Sequence, residues 1–186
     1  MKVTHTTLPG VLLIEPRIFS DDRGHLLETY QAERYCRSGI PPFVQDNLSY
    51  SGRGVLRGLH YQLGRPQGKL VCVLAGEVFD VVVDIRRGSP TFGRWLSMVL
   101  DSRSYRQLYV PPGFAHGFCV TGEAALVLYK CTDYYAPQEE RGLRWNDPAL
   151  GIDWPVAEPL ISPRDRDYPD LRQVPAAELP EMQAEP

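Results

Sequence analysis

The side chains best suited to chemistry in this 186-residue chain are few and unevenly placed. Its four histidines are His5, His25, His60 and His116. His60 closes the run Val55-Leu56-Arg57-Gly58-Leu59-His60, and strand alternation puts its imidazole opposite Leu59 and on the face of Gly58. An imidazole there either exchanges protons near neutral pH or serves as an ordinary structural strand histidine. His116 follows Pro111-Pro112-Gly113-Phe114-Ala115, a PxGxxH pattern at the opening of a strand. The cations are lopsided, 17 Arg against three Lys (Lys2, Lys69 and Lys130), so a lysine inside a motif stands out. Residues 47–76 hold no Asp or Glu but do hold Arg53, Arg57, Arg65 and Lys69. Such a stretch is either a solvated strand face or a pocket for a small anion such as a diphosphate, which arginine grips through paired charge-assisted hydrogen bonds. Gln45 and Asn47 are two residues apart, so both can reach one ligand while Asp46 points away.

Metal chemistry has too few donors. The cysteines Cys36, Cys72, Cys119 and Cys131 form no CxxC pair, and the last three lie in apolar runs, as buried thiols do. That usage favours a reducing compartment and a cytoplasmic protein. The PxGxxH stretch resembles the second motif of the cupin barrels. Metal-binding cupins carry HxH and a following Glu in the first motif, whereas here the matching place reads His60-Tyr61-Gln62. Two histidines and Glu77 fall short of a zinc or iron site with three firm protein ligands, so no metal or other cofactor is expected. A cupin without metal needs another electrophilic group, for which Lys69 is the candidate.

The elements that must position these groups are mostly strands. Gly and Pro are abundant (16 and 17), and apolar runs at 11–14, 25–30, 43–49, 55–59, 70–74, 78–85, 95–100, 107–110, 117–120 and 124–131 are separated by turn signals. Only 31–38 reads as a helix. Many short strands with few helices predict an all-β, antiparallel jelly-roll barrel, with 136–173 as an irregular wrap over it. Residues 1–173 form one domain, and 174–186 an acidic Pro/Ala/Glu-rich tail expected to be mobile. Glu178, Glu181 and Glu185 of that tail account for the net charge of −3, so the body is neutral. No broad basic face suggests nucleic acid. The N-terminal apolar run is too short for a signal peptide, and no stretch nears the ~20 apolar residues of a membrane span.

A specific resemblance emerges from motifs in one order: Asp22-Arg23-Gly24, Gln45-Asp46-Asn47, Val55-Leu56-Arg57-Gly58-Leu59-His60, Gln67-Gly68-Lys69, Gly76-Glu77-Val78-Phe79-Asp80, Ser89-Pro90-Thr91-Phe92-Gly93, Phe114-Ala115-His116-Gly117-Phe118, Tyr129-Lys130 and Trp145-Asn146-Asp147-Pro148. Together they resemble the dTDP-4-dehydrorhamnose 3,5-epimerases. The resemblance implies a metal-free cupin-type jelly roll, working as a homodimer, that inverts C3 and C5 of dTDP-4-keto-6-deoxy-D-glucose. Both carbons flank the C4 ketone, so removal of either proton gives an enolate on one oxygen. The resemblance implies His60 as base, Asp165 as its carboxylate partner (with Asp167 nearby as competitor), Lys69 as enolate stabiliser and Tyr129 as proton donor on the opposite face. It implies that Arg23, Glu28, Gln45, Asn47, Arg57, His116, Glu140 and Arg164 hold nucleotide or sugar, and that Tyr135 stacks on thymine. Arg23 and Glu28 would reach into the neighbouring subunit's site. The same motifs would suit a monoepimerase inverting C3 or C5 alone. A sugar-nucleotide-binding cupin without activity and a metal-dependent oxygenase fit them less well.

Overall fold

The computed structural model describes residues 1–182. The chain forms strands β1 (Lys2–His5), β2 (Leu12–Glu15), β3 (Ile18–Asp21) and β4 (Gly24–Leu27), then helix α1 (Ala32–Cys36). There follow β5 (Gln45–Gly52), β6 (Leu56–Gln62), β7 (Lys69–Ala75), β8 (Glu77–Asp84), β9 (Trp95–Asp101), β10 (Gln107–Val110), β11 (Phe114–Val120), β12 (Ala124–Cys131) and β13 (Glu140–Gly142), and last the short helix α2 (Pro163–Arg166). A six-stranded sheet runs β1-β2-β10-β7-β12-β5, a five-stranded sheet runs β13-β6-β11-β8-β9, and β3 and β4 form a separate hairpin. All the ladders are antiparallel, which makes the fold the all-β, cupin-type jelly roll expected from the strand spacing.

Period-2 alternation builds the interior. Val71 and Val73 of β7, Val78 and Val82 of β8, Phe118 and Val120 of β11, and Ala125 and Val127 of β12 form one core between the sheets. The outer face of the five-stranded sheet is also apolar, with Val81, Val83 and Ala115 buried. It is covered by Leu143, Leu150 and Leu171 of the C-terminal wrap. Tyr35 of α1 and Ile40 cover Leu12, Ile14 and Tyr109 on the back of the other sheet. Gln31 caps α1 by accepting from the Arg34 amide, and the chain leaves the helix after Cys36, short of the Ser38 expected.

Several segments differ from the sequence expectation. β1 and β3 are mostly exposed and fall outside the expected strand runs, whereas β4 coincides with the start of the strand expected at 25–30. β13 has three residues and exists only as an edge on β6. The tail expected to be mobile is laid against the barrel as far as Met182: Val174 and Leu179 are buried, and the Arg87 amide donates to Pro180. Two well-spaced apolar side chains suffice to dock it, despite its Pro and Glu content. The rest of that tail, from residue 183, lies outside the described residues. Among the described residues no helix is long and apolar enough to cross a membrane.

Candidate active site

The two sheets part at one end around a cavity of about 780 Å³, and both contribute side chains to it. From the six-stranded sheet, Gln45 lies opposite Cys131 and Asn47 opposite Tyr129, while Cys131 in turn pairs with Lys69. Directly paired residues share a sheet face, so Gln45, Asn47, Tyr129 and Lys69 form one wall. The Gln45 amide donates to Asn47 at 3.1 Å, and Asp46 points outward to Lys130, as alternation requires.

The facing wall comes from β6 and β11, where His60 pairs with His116 and Arg57 with Phe118. Two steps along β11 match three along β6, which is a β-bulge at Gly58 and Leu59. Simple alternation would send Arg57 and His60 to opposite faces; the bulge turns both into the cavity. Glycine is required there. Gly58 has φ +122°, and a Cβ on it would lie 2.6 Å from the Gly117 Cα.

α2 supplies the third side. Ser162 caps it by accepting from the Asp165 amide, and Pro163 occupies a first-turn position, where its missing N–H costs nothing. The cap aims Asp165 inward. Its Oδ1 lies 2.8 Å from His60 Nε2 across 105 residues of sequence, and its Oδ2 accepts from the Gly58 amide at 3.2 Å. Asp167, the competing partner, is the C-cap of α2, and among the described contacts the one carboxylate bonded to His60 is that of Asp165. Burial raises the Asp165 carboxyl, but the His60, Gly58 and Ser162 hydrogen bonds outweigh it and leave the group below its ordinary value.

His116 has its own carboxylate. Its Nε2 lies 2.9 Å from both oxygens of Asp80, a fully buried side chain on β8. The sequence pattern alone assigns Asp80 no role. Its signal was an acid in an otherwise apolar strand, Val78-Phe79-Asp80-Val81-Val82.

Two groups on the first wall are desolvated. Burial pushes the Lys69 ammonium below the ordinary lysine value, against the raising influence of Cys131, Glu140 and Asp80. Burial, followed by the Cys131 thiol, pushes the Tyr129 phenol above its ordinary value, so it is protonated at neutral pH. At the mouth, Glu140 Oε2 accepts from the Tyr135 hydroxyl at 2.5 Å and pairs with Arg164 at 2.5 Å. Gln62 fixes the Tyr135 loop by donating to the Tyr134 carbonyl and accepting from the Ala136 amide. Arg57 donates to Ser51 at 3.0 Å. Thus Gln45, Asn47, Arg57, His60, Lys69, His116, Tyr129, Tyr135, Glu140, Arg164 and Asp165 all line one cavity.

Arg23 and Glu28 do not. Arg23 sits in the exposed hairpin on Asp21, and Glu28 pairs with Arg34 at 2.6 Å. Among the described residues no group of three or more His, Cys, Asp or Glu side chains could hold a metal ion.

An imidazole–carboxylate pair facing a protonated phenol across a cavity can move protons to and from a bound molecule, and the arginines at its mouth suit an anionic one. With the jelly roll, this defines a cupin-type barrel whose cavity is equipped for proton transfer on an anionic ligand. The family model of dTDP-4-dehydrorhamnose 3,5-epimerase matches residues 5–173. The epimerase of that name from Pseudomonas aeruginosa is 54% identical over 169 residues, covering 89% of this chain and 93% of the relative. Its Neisseria gonorrhoeae counterpart is 54% identical over 168 residues, covering 89% of this chain, which spans 51% of that longer relative. Among solved structures, the Legionella pneumophila dTDP-6-deoxy-D-glucose-3,5-epimerase in complex with dTDP-4-keto-L-rhamnose superposes with a TM-score of 0.95. It is 50% identical, with 98% of this chain and 99% of that one covered. The chain belongs to the dTDP-4-dehydrorhamnose 3,5-epimerase family.

Proposed function

We propose that this chain inverts C3 and C5 of dTDP-4-keto-6-deoxy-D-glucose, giving dTDP-4-keto-L-rhamnose. The observation that carries the reading is the 2.8 Å His60–Asp165 pair on one wall of a cavity whose other wall bears Tyr129 and Lys69. His60 takes the proton from a carbon beside the C4 ketone, and the electron pair moves to the ketone oxygen as an enolate. Asp165 orients the imidazole and balances the imidazolium. The Lys69 ammonium stabilises the enolate oxygen. Tyr129 delivers its proton to the opposite face of the carbon, the ketone re-forms, and the configuration is inverted. Solvent then restores both residues for the second carbon. Arg57, Arg164 and His116 suit the diphosphate and sugar, Gln45, Asn47 and Glu140 suit the polar groups of nucleotide or sugar, and Tyr135 suits thymine stacking. No step calls on a metal or cofactor.

The working unit in this reading is a homodimer whose hairpins exchange Arg23 and Glu28. In support, the hairpin exposes Leu26 (73%) and Phe19 (51%), and the edge strand β5 exposes Tyr50 (72%) beside the cavity. Its compartment would be the reducing cytoplasm, where four free thiols such as these persist.

The test is incubation with the 4-keto sugar in deuterium oxide, with product identification. Label at both C3 and C5 with formation of the L-rhamno product is expected. Lasting label at one carbon alone would make the chain a monoepimerase, and no label would reject epimerase activity. His60→Ala should abolish exchange at both carbons without unfolding the domain. Tyr129→Phe should impair inversion more than exchange.

A further inference from the structure

Tyr168 stands just beyond α2, outside the groups assigned above, yet it touches the site from behind. Its ring meets His60 edge-on, with centroids 5.8 Å apart and planes at 70°. The Arg164 guanidinium carbon lies 6.0 Å from the centroid of the same ring. The ring rests on Gly142, the residue directly opposite His60 across the β13–β6 ladder. A Cβ on Gly142 would lie 2.4 Å from a Tyr168 ring carbon, so this close seat exists because position 142 has no side chain. The backbone beyond is tied down, since the Arg144 amide donates to the Pro169 carbonyl at 2.9 Å.

We propose that Tyr168, seated on Gly142, is a positioning residue for the His60–Asp165 pair, its ring walling the imidazole from water. The inference rests on the epimerase reading above for its kinetic consequence, though not for its structural one. The pair needs such a wall. Asp165 is nearly buried, with 7% of its side chain exposed, whereas His60 retains 25%. Water reaching the shared hydrogen bond would compete for both partners and loosen the ring orientation on which proton transfer depends.

The function lies in the ring, not the hydroxyl. The Tyr168 hydroxyl is buried without a hydrogen-bond partner among the described residues, and burial pushes its pKa up to about 12. A phenylalanine keeps both the edge contact with His60 and the seat on Gly142.

The experiment compares the full-length wild-type chain with Tyr168→Phe and Tyr168→Ala. The first readout, taken without substrate, is solvent exchange of the hydrogen-bonded His60 imidazole proton by NMR. The second is kcat and KM for the 4-keto sugar. In Y168F both match wild type. In Y168A the imidazole proton exchanges faster and kcat falls by about tenfold with little change in KM. A Y168A chain with a protected imidazole proton and wild-type kcat overturns the proposal, as does a Y168F chain as impaired as Y168A. Should Y168A not fold, Tyr168→Leu, which fills the seat without the edge contact, is read the same way. A wild-type chain with no epimerase activity would reject the proposed function, leaving the imidazole exchange to decide this inference.

Discussion

Arg57 and His60 are three residues apart on one strand, yet both face the same cavity, because Gly58 and Leu59 form a bulge against Gly117. A regular strand would place one on each side of the sheet. The bulge therefore brings a guanidinium and an imidazole into one site from a single strand. It can form because neither Gly58 nor Gly117 has a Cβ to hold the two backbones apart.

Gly58→Ala is accordingly expected to be far more damaging than its one added methyl suggests. The new Cβ would meet the backbone of β11, 2.6 Å from the Gly117 Cα and 2.8 Å from the His116 carbonyl, at a φ of +122° that alanine rarely adopts. A loss of at least ~2 kcal/mol in urea unfolding is expected, from strain at a conformation the new residue does not fit. Whatever folded fraction remains should have lost most activity, since the shift is felt at His60. Near-wild-type stability and turnover would show that the bulge is not needed.

How much of this was legible in the sequence depends on the range of the interaction. Alternation alone placed Gln45 and Asn47 together and sent Asp46 outward, because the strand pleat is local. The apolar runs located the long strands for the same reason. The resemblance paired His60 with Asp165, which lies 105 residues away and which no local pattern could supply. The bulge was invisible because it depends on two glycines meeting across the sheet. The tail was misjudged because its Pro and Glu content hid Val174 and Leu179, whose burial depends on the apolar back of the five-stranded sheet. Tyr168 carried no signal at all, since its seat is the missing side chain of a residue on another strand.

The exposed hairpin gives the dimer reading its own test. Arg23 has 90% of its side chain exposed and touches Asp21 of its own hairpin, so within one chain it reaches no part of the cavity. If it completes the neighbour's site, Arg23→Ala and His60→Ala should each be nearly inactive alone. Unfolding and refolding the two variants together should restore activity, because a mixed dimer then holds one site free of both changes. Activity that stays absent in the mixture, with mixed dimers verified by mass, would show that Arg23 does not act across subunits.

Acid stability should trace to Asp84 as well as to the active site. Burial raises the Asp84 carboxyl, but hydrogen bonds from Arg86, Ser89, Thr91 and the Arg86 amide outweigh it and hold it below its ordinary value of 3.8. A carboxylate whose folded pKa is lowered contributes stability above its unfolded pKa and loses it as pH falls through the folded one. Unfolding free energy should therefore decline below about pH 4. Asp84→Asn should cost about 3 kcal/mol at neutral pH, since it leaves the Arg86 guanidinium without its buried partner. The gap between variant and wild type should narrow as the pH falls. A constant gap from pH 7 to pH 2 would assign the acid sensitivity to other groups.

Lys69 makes the sharpest claim on the pH profile. Burial sets its ammonium below the ordinary lysine value of 10.5, and among the described residues it has no carboxylate in salt-bridge contact. If the ammonium stabilises the enolate, activity must fall on the alkaline side as that charge is lost, at a pH below 10.5. Burial moves the Tyr129 phenol in the opposite direction, above its ordinary value, so the arginine variant is what tells the two groups apart. Lys69→Met should lower kcat by about 10²–10³, the usual loss for one oxyanion donor, with little effect on thermal stability. Lys69→Arg should keep part of the activity and flatten the alkaline limb, because a guanidinium keeps its charge throughout. A limb unchanged in the arginine variant would assign the titration to another group and remove Lys69 from the enolate.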